Sequence, residues 1–333
     1  MVLASALVAV ACGGGNQAAQ DGGEGGGLIT IDGSSTVFPI VEAMAEEFGK
    51  ANPNVRTPTV GISGTGGGFQ KFCRGETDIS NASRPISAAE RQACQIATID
   101  YIELPVAYDG LAVVVNRGNT WADSITVAEL KRLWAPEAQG TIARWNQVRS
   151  SWPDREIHLF GAGVDSGTYD YFTEAIVGKA RSSRGDFTSS EDDNVLVQGV
   201  AGDELALAFI PLAYVSQNAA RLKIVPVDDG KADNGAGPIA PSSDTVRNGT
   251  YQPLSRPLFV YVSRKAADRT DVQRFVEMLF MRTDLVREVG YIELTPQIYD
   301  LARAHFADRR TGTAFEKGNQ VGMTLEALLA RER

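Results

Sequence analysis

Three stretches of this chain place Gly, Ser and Thr where a helix is about to begin: "DGSSTVFP" (32–39), "GISGTGGGF" (61–69) and "GAGVDSGTY" (161–169). Each follows a β-like run. A helix start leaves about four backbone N–H groups without intrahelical partners, and the helix dipole adds partial positive charge there. Glycine lets the backbone approach a ligand closely. The hydroxyls of Ser34, Ser35, Thr36, Thr65, Ser166 and Thr168 add donors at the same radius. One such turn is an ordinary N-cap; three in one chain point to a socket for a small oxyanion.

Two enzymatic readings fail on the same residues. A nucleotide phosphate loop needs G-x-x-x-x-G-K-[ST], and none of these turns has a Lys between Gly and Ser or Thr. A hydrolase elbow needs G-x-S-x-G, whereas Ser166 sits in Val164-Asp165-Ser166-Gly167-Thr168 and Ser63 in Gly61-Ile62-Ser63-Gly64. His158 and His305, the only two histidines, read as a strand residue and a helix residue. A secreted phosphatase or hydrolase using Ser166 therefore ranks below a binding site. Arg84, in "SNASRPI", is the cation placed to join the turns, and Arg offers tetrahedral oxyanions a planar fork of donors.

The elements that must carry these turns alternate. "LITIDG", "VRTPTVGI", "TDISNAS", "EIHLFGAG", "LKIVPV" and "PLFVYVS" read as strands, and "YIELPVAYDGLAVVVN" as an extended pair of β runs. "SGTGGGFQKF" reads as a Gly-rich turn running into a helix. Val37, Ile40, Val41, Met44, Ala45 and Phe48 share one helical face, as do Val272, Phe275, Val276, Leu279 and Phe280. Ser87–Glu90 and Thr126–Glu129 are capping boxes, and a helix is expected over 167–177. Strand–turn–helix units throughout imply α/β architecture, with ligands at the carboxyl ends of the strands.

The chain of 333 residues is long enough for about two domains. Its net charge of −9, with no basic run, excludes a nucleic-acid partner held by counterion release. An anion must then be bound by local donors rather than by the overall field. Residues 1–27 differ in kind: "MVLASALVAVAC" is too short to span a membrane, and a Gly-rich linker follows. Ala9-Val10-Ala11-Cys12 resembles a bacterial lipobox, which makes Cys12 the lipidation site of an exported lipoprotein. No Lys or Arg precedes the apolar run, so a start a few residues upstream is expected. Cys73 and Cys94 remain as an even pair and are expected to form a disulfide in an oxidising compartment. Two isolated histidines argue against a zinc site, and no cofactor is expected.

The segments "IDGSSTVFPI", "GISGTGGGFQKFCRGETDISNASRPI", "ELPVAYDGLAVVVN", "GAGVDSGTYDYFTEAI" and "YQPLSRPLFVYV" resemble those of the phosphate-binding proteins of Pst-type ABC importers, in family order from about residue 28 onward. The resemblance implies a type II periplasmic-binding-protein fold, in which two α/β lobes with a hinge close on the ligand cleft between them. It implies a non-enzymatic, extracytoplasmic, monomeric protein that binds inorganic phosphate and delivers it to a membrane permease. Carried onto this chain, the ligand contacts fall on Ser34, Ser35, Thr36 and Val37, on Thr65, Gly66 and Gly67, on Arg84, and on Asp165, Ser166, Gly167 and Thr168. Enterobacterial members carry an Arg where Ala162 stands and an Asp where Arg84 falls, so here the cation stands at the other position and the carboxylate falls to Asp165. One lobe is expected from 28–108 plus 256–333 and the other from 109–255, with crossings in "AYDGLAVVV" and "LSRPLFVYV". Alternatives are the same fold binding sulfate, molybdate or tungstate, and a surface lipoprotein that signals or adheres.

Selectivity for phosphate over sulfate needs a carboxylate in the pocket, because an ionised Asp only accepts hydrogen bonds. Asp165 is the candidate, beside Ser166; its other reading is a cap for the helix at 167–177. Asp78 and Asp109 lie within or after β runs, where a cap or hinge role explains them.

Overall fold

The computed structural model describes residues 27–164, 166–190, 192–316 and Leu325. The expectations for Cys12, for the linker and for Asp165 itself therefore lie outside the described residues.

The strands are β1 (Thr30–Gly33), β2 (Thr59–Val60), β3 (Ile79–Ala82), β4 (Tyr101–Asn116), β5 (Ile125–Thr126), β6 (His158–Ala162), β7 (Thr188–Ser190), β8 (Ala206–Pro211), β9 (Leu222–Ile224), β10 (Val227–Asp228) and β11 (Ser255–Ser263). Among the described residues their order is β2-β1-β3-β11-β4-β8-β6-β7, with β9 also on β4 and β10 paired to β5. β4 joins the two halves of this arrangement. Its residues Tyr101–Gly110 pair antiparallel with β11, and Leu111–Val115 pair antiparallel with β8. Its near-continuous apolar sequence suits burial on both faces, and all of it except Asn116 is buried. The ladder slips once, at Leu258/Phe259, where Pro105 and Ala107 are the partners and Val106 is passed over. Pro105 has no N–H to give, so a bulge falls naturally there.

Six helices in the first part of the chain matter below: α1 (Phe38–Ala51), α2 (Gly64–Cys73), α3 (Ala88–Ile96), α4 (Val127–Trp134), α5 (Trp145–Val148) and α6 (Gly167–Val177). The apolar face of α1 is buried as its spacing predicts, against the helix Thr270–Met281; Phe48 meets Phe275 edge-on at 5.5 Å. Both capping boxes form. α6 is anchored by Phe172, which stacks on Phe209 at 3.8 Å, with Trp134 of α4 edge-on to both. That cluster fixes the direction in which α6 presents its first turn.

Three expectations change. "VRTPTVGI" yields only the two residues of β2, an edge strand next to Pro58, which cannot donate to a ladder. "LKIVPV" divides at Val225-Pro226 into β9 on β4 and β10 on β5. The glycines 64, 66, 67 and 68 lie inside α2 rather than in a turn before it.

Cys73, the last residue of α2, is bonded to Cys94 in α3, 21 positions on. Closing a loop of that length contributes about 3 kcal/mol in the chain-entropy model. Reduction, or Cys94→Ser, is expected to lower unfolding stability by about that much, read as a shift in the denaturant midpoint. A shift below about 1 kcal/mol would mean that the bridge barely constrains the unfolded chain.

Candidate functional site

A cavity of about 410 Å³ lies where the turn leading into α1 meets the first turns of α2 and α6. Its wall includes Ser34, Ser35, Thr65, Gly66, Gly67, Arg84 and Gly167.

β1 ends at Gly33, whose φ of +140° and lack of a Cβ let it sit against Asn81; a Cβ there would be 2.2 Å from the Asn81 carbonyl. The Ser34 amide donates to that carbonyl at 3.0 Å. The chain then turns through Ser34–Val37 into α1, with Pro39 in its first turn. Val37 occupies the N-cap and provides no side-chain cap. The Ser34 side chain is 1% exposed, and its hydroxyl has no protein partner. A buried hydroxyl without a partner costs on the order of 1–3 kcal/mol unless a ligand or water meets it.

α2 begins in the same uncapped way. Its N-cap, Ser63, turns its hydroxyl to Asp32, which also accepts from Lys71 Nζ at 2.6 Å. The Thr65 hydroxyl is 3.1 Å from that of Ser83 and accepts from the Ser83 amide at 3.2 Å. α6 enters from the other side. Ser166 is its N-cap, accepting from the Thr168 amide at 3.1 Å. The Gly167 amide reaches Ser35 Oγ at 3.4 Å, and a Cβ on Gly167 would be 2.7 Å from Thr36 Oγ1. Thr36, Val37 and Thr168 are buried behind the wall, and Ser166 is half-buried beside it.

Arg84 is on the wall, but its fork is already engaged. Nη1 and Nη2 each donate to Glu90 at 2.8 Å, and Nη1 also reaches the Pro85 carbonyl at 3.1 Å. Burial opposes the charge of Arg84, yet the bonds and charge of Glu90 outweigh it and hold the guanidinium more firmly protonated than usual. Burial likewise works against ionised Glu90. Arg84 and the Ser87 amide overcome it and keep the carboxyl below the ordinary range. The carboxylate that caps α3 thus also holds the cation.

The wall has members that sequence reasoning missed. Ser83 and Gln70 belong to the first side. Asp170, Tyr171 and Glu174 share one helical face of α6 with the expected Gly167, a spacing present in "GTYDYFTE" that could have revealed them. Asp170 is bonded to Arg181 at 2.9 Å. Burial pushes the Tyr171 phenol well up. Arg181, and Arg256 of β11, are the further cations of the wall. Asp78 is occupied elsewhere, accepting from the Thr30 amide at 3.0 Å and from Arg269 at 2.9 Å. Among the described residues no group of three or more His, Cys, Asp or Glu could hold a metal ion. Among the described residues the wall offers hydroxyl, amide and guanidinium donors that suit an anion.

A family model described as a PBP superfamily domain matches residues 15–282. Protein SphX of Synechococcus elongatus is 48% identical over 308 residues, covering 92% of this chain and 89% of that one. Phosphate-binding protein PstS of Staphylococcus saprophyticus is 36% identical over 301 residues, 89% of each chain. Among solved structures, a possible phosphate binding protein from Planctomyces limnophilus superposes with a TM-score of 0.74 at 46% identity, covering 86% of this chain and 99% of that one. An ABC-type phosphate transport receptor from Vibrio cholerae gives 0.65 at 26% identity, over 79% and 99%.

Proposed function

We infer the task of this chain from its membership of the PBP superfamily and, within it, of the PstS-like phosphate-binding proteins: it binds inorganic phosphate for an ABC importer. The observation that carries the reading is the buried, unpartnered Ser34 hydroxyl at a cavity where three helix starts meet, two of them without side-chain caps. Such a site supplies oriented N–H and O–H groups to a tetrahedral anion.

Ser34, Ser35, Thr65, Gly66, Gly67 and Gly167 are the proposed contacts from the cavity wall, with Arg84 beside them. Thr36, Val37, Ser166 and Thr168 act through backbone amides and by shaping the helix starts, and Asp165 accepts a hydrogen bond from the phosphate O–H. The proposed lobes are 28–108 plus 256–333 and 109–255. β4 and β11 are the crossings, about which hinge closure would shut the cavity. Location outside the cytoplasm, a lipid on Cys12, a monomeric state and a permease partner complete the reading. It rests on the relatives and on the Cys12 sequence.

Isothermal titration of protein beginning near residue 28 tests it. Phosphate and arsenate should bind at one site, and sulfate should bind weaker by a factor of about 10³ or more. A chromogenic phosphate ester should not turn over. Absence of binding heat with phosphate would overturn the reading, and ester turnover would favour the hydrolase alternative.

A further inference from the structure

Arg256 stands directly opposite Asp109 in the β4–β11 ladder. The two side chains are 5% and 3% exposed. Asp109 Oδ2 accepts from Nε at 3.1 Å and from Nη2 at 3.0 Å. Nη2 also donates to Thr36 Oγ1 at 3.2 Å, and Nη1 donates to the Gly167 carbonyl at 3.2 Å. Thr36 lies in the turn after β1; Gly167 opens α6. The guanidinium also lies over the Tyr171 ring, 4.4 Å from its centroid, and the Tyr171 hydroxyl donates to the Ser255 carbonyl at 2.6 Å. One side chain, rooted where the chain crosses between the halves, is thus bonded to both sides of the cavity it lines. Arg has five N–H donors, and these bonds use four of them, leaving one on Nη1.

A buried ion pair of this kind is a poor source of stability, because desolvating both charges offsets their attraction. Its placement suits a different task. We propose that Arg256 is the cation that a bound phosphate meets and the group through which the anion holds the two sides together. Asp109 is a positioning residue that aims the guanidinium and balances its charge while the cavity is empty. The proposal rests on the phosphate reading above.

The two charges then act with opposite signs on binding. Removing Arg256 takes away the anion's counter-charge. Removing the charge of Asp109 takes away a repulsion and leaves a buried cation without its ladder partner, which a bound anion can balance. A pair with a purely structural role would instead lose binding from either side.

Phosphate titration and thermal melts of Arg256→Gln, Asp109→Asn and the double variant decide the matter. Arg256→Gln should bind about a hundredfold more weakly or worse. Asp109→Asn should melt lower without ligand, bind phosphate several-fold more tightly and show a larger phosphate-induced rise in Tm. The double variant carries a neutral amide pair and keeps the test open if a single variant folds poorly; it should bind as weakly as Arg256→Gln. Wild-type affinity in the double variant would overturn the proposal. So would a loss in Asp109→Asn that matches the loss in Arg256→Gln. A wild-type protein that gives no phosphate heat would overturn the phosphate reading and this assignment together. Binding by the wild type, with both single variants unchanged, would overturn this assignment alone.

Discussion

Asp165→Asn is expected to weaken phosphate binding and to let sulfate in. At neutral pH phosphate carries at least one proton and sulfate carries none. A site made only of donors separates them poorly. An ionised Asp accepts the phosphate O–H but faces an unprotonated sulfate oxygen with like charge and no shared hydrogen. A buried mismatch of that kind discriminates by about four orders of magnitude, and an Asn, which can donate, would erase most of it. The alternative role of Asp165, capping the helix at 167–177, falls instead to Ser166, whose hydroxyl takes the Thr168 amide. The wall of the cavity supplies two rivals, Asp170 and Glu174. Asp170 is bonded to Arg181, and Glu174 is exposed. Titration of Asp165→Asn, Asp170→Asn and Glu174→Gln with both anions separates the three. An unchanged preference in Asp165→Asn, with a shift in either rival, would move the selector onto α6.

Local features were legible in the sequence because neighbours along the chain decide them. The buried faces of α1 and of Thr270–Met281 follow from 3.6-residue spacing, and Ser87–Glu90 and Thr126–Glu129 form the boxes that their residues announce. The three helix starts around the cavity were legible for the same reason. What escaped depends on partners distant in sequence. Glu90 looked like a capping residue only, yet it takes both the Ser87 amide and the fork of Arg84. Arg256 was visible as a residue of a strand, but its place opposite Asp109 depends on a ladder register that includes a bulge. Its contacts with Thr36 and Gly167 span 220 and 89 positions of chain. The glycines of α2 were misplaced because glycine is a poor helix former, and among them Gly68 packs closely on β1, where a side chain would not fit.

That packing makes two neighbouring glycines separable by experiment. Gly66→Ala is expected to stabilise the free protein and to weaken phosphate binding, whereas Gly68→Ala should harm both. A Cβ on Gly66 would meet nothing within 4 Å, and Gly66 does not have positive φ. An Ala there removes the entropic cost of a helical glycine, roughly 0.5–1 kcal/mol. The open space it enters belongs to the cavity that Gly66 lines, so the new methyl group competes with the anion, and a loss of at least about tenfold is expected, near 1.4 kcal/mol. A Cβ on Gly68 would instead be 2.5 Å from Gly33 Cα and 2.9 Å from Ser80 Oγ. α2 would have to lift off β1, at a cost of about 1–3 kcal/mol, carrying Thr65 away from Ser83. Denaturant midpoints without ligand and phosphate titrations of the two variants give the comparison. Wild-type affinity in Gly66→Ala would show that the anion does not rest against the start of α2, and unchanged stability in Gly68→Ala would show that the helix and strand can part without cost.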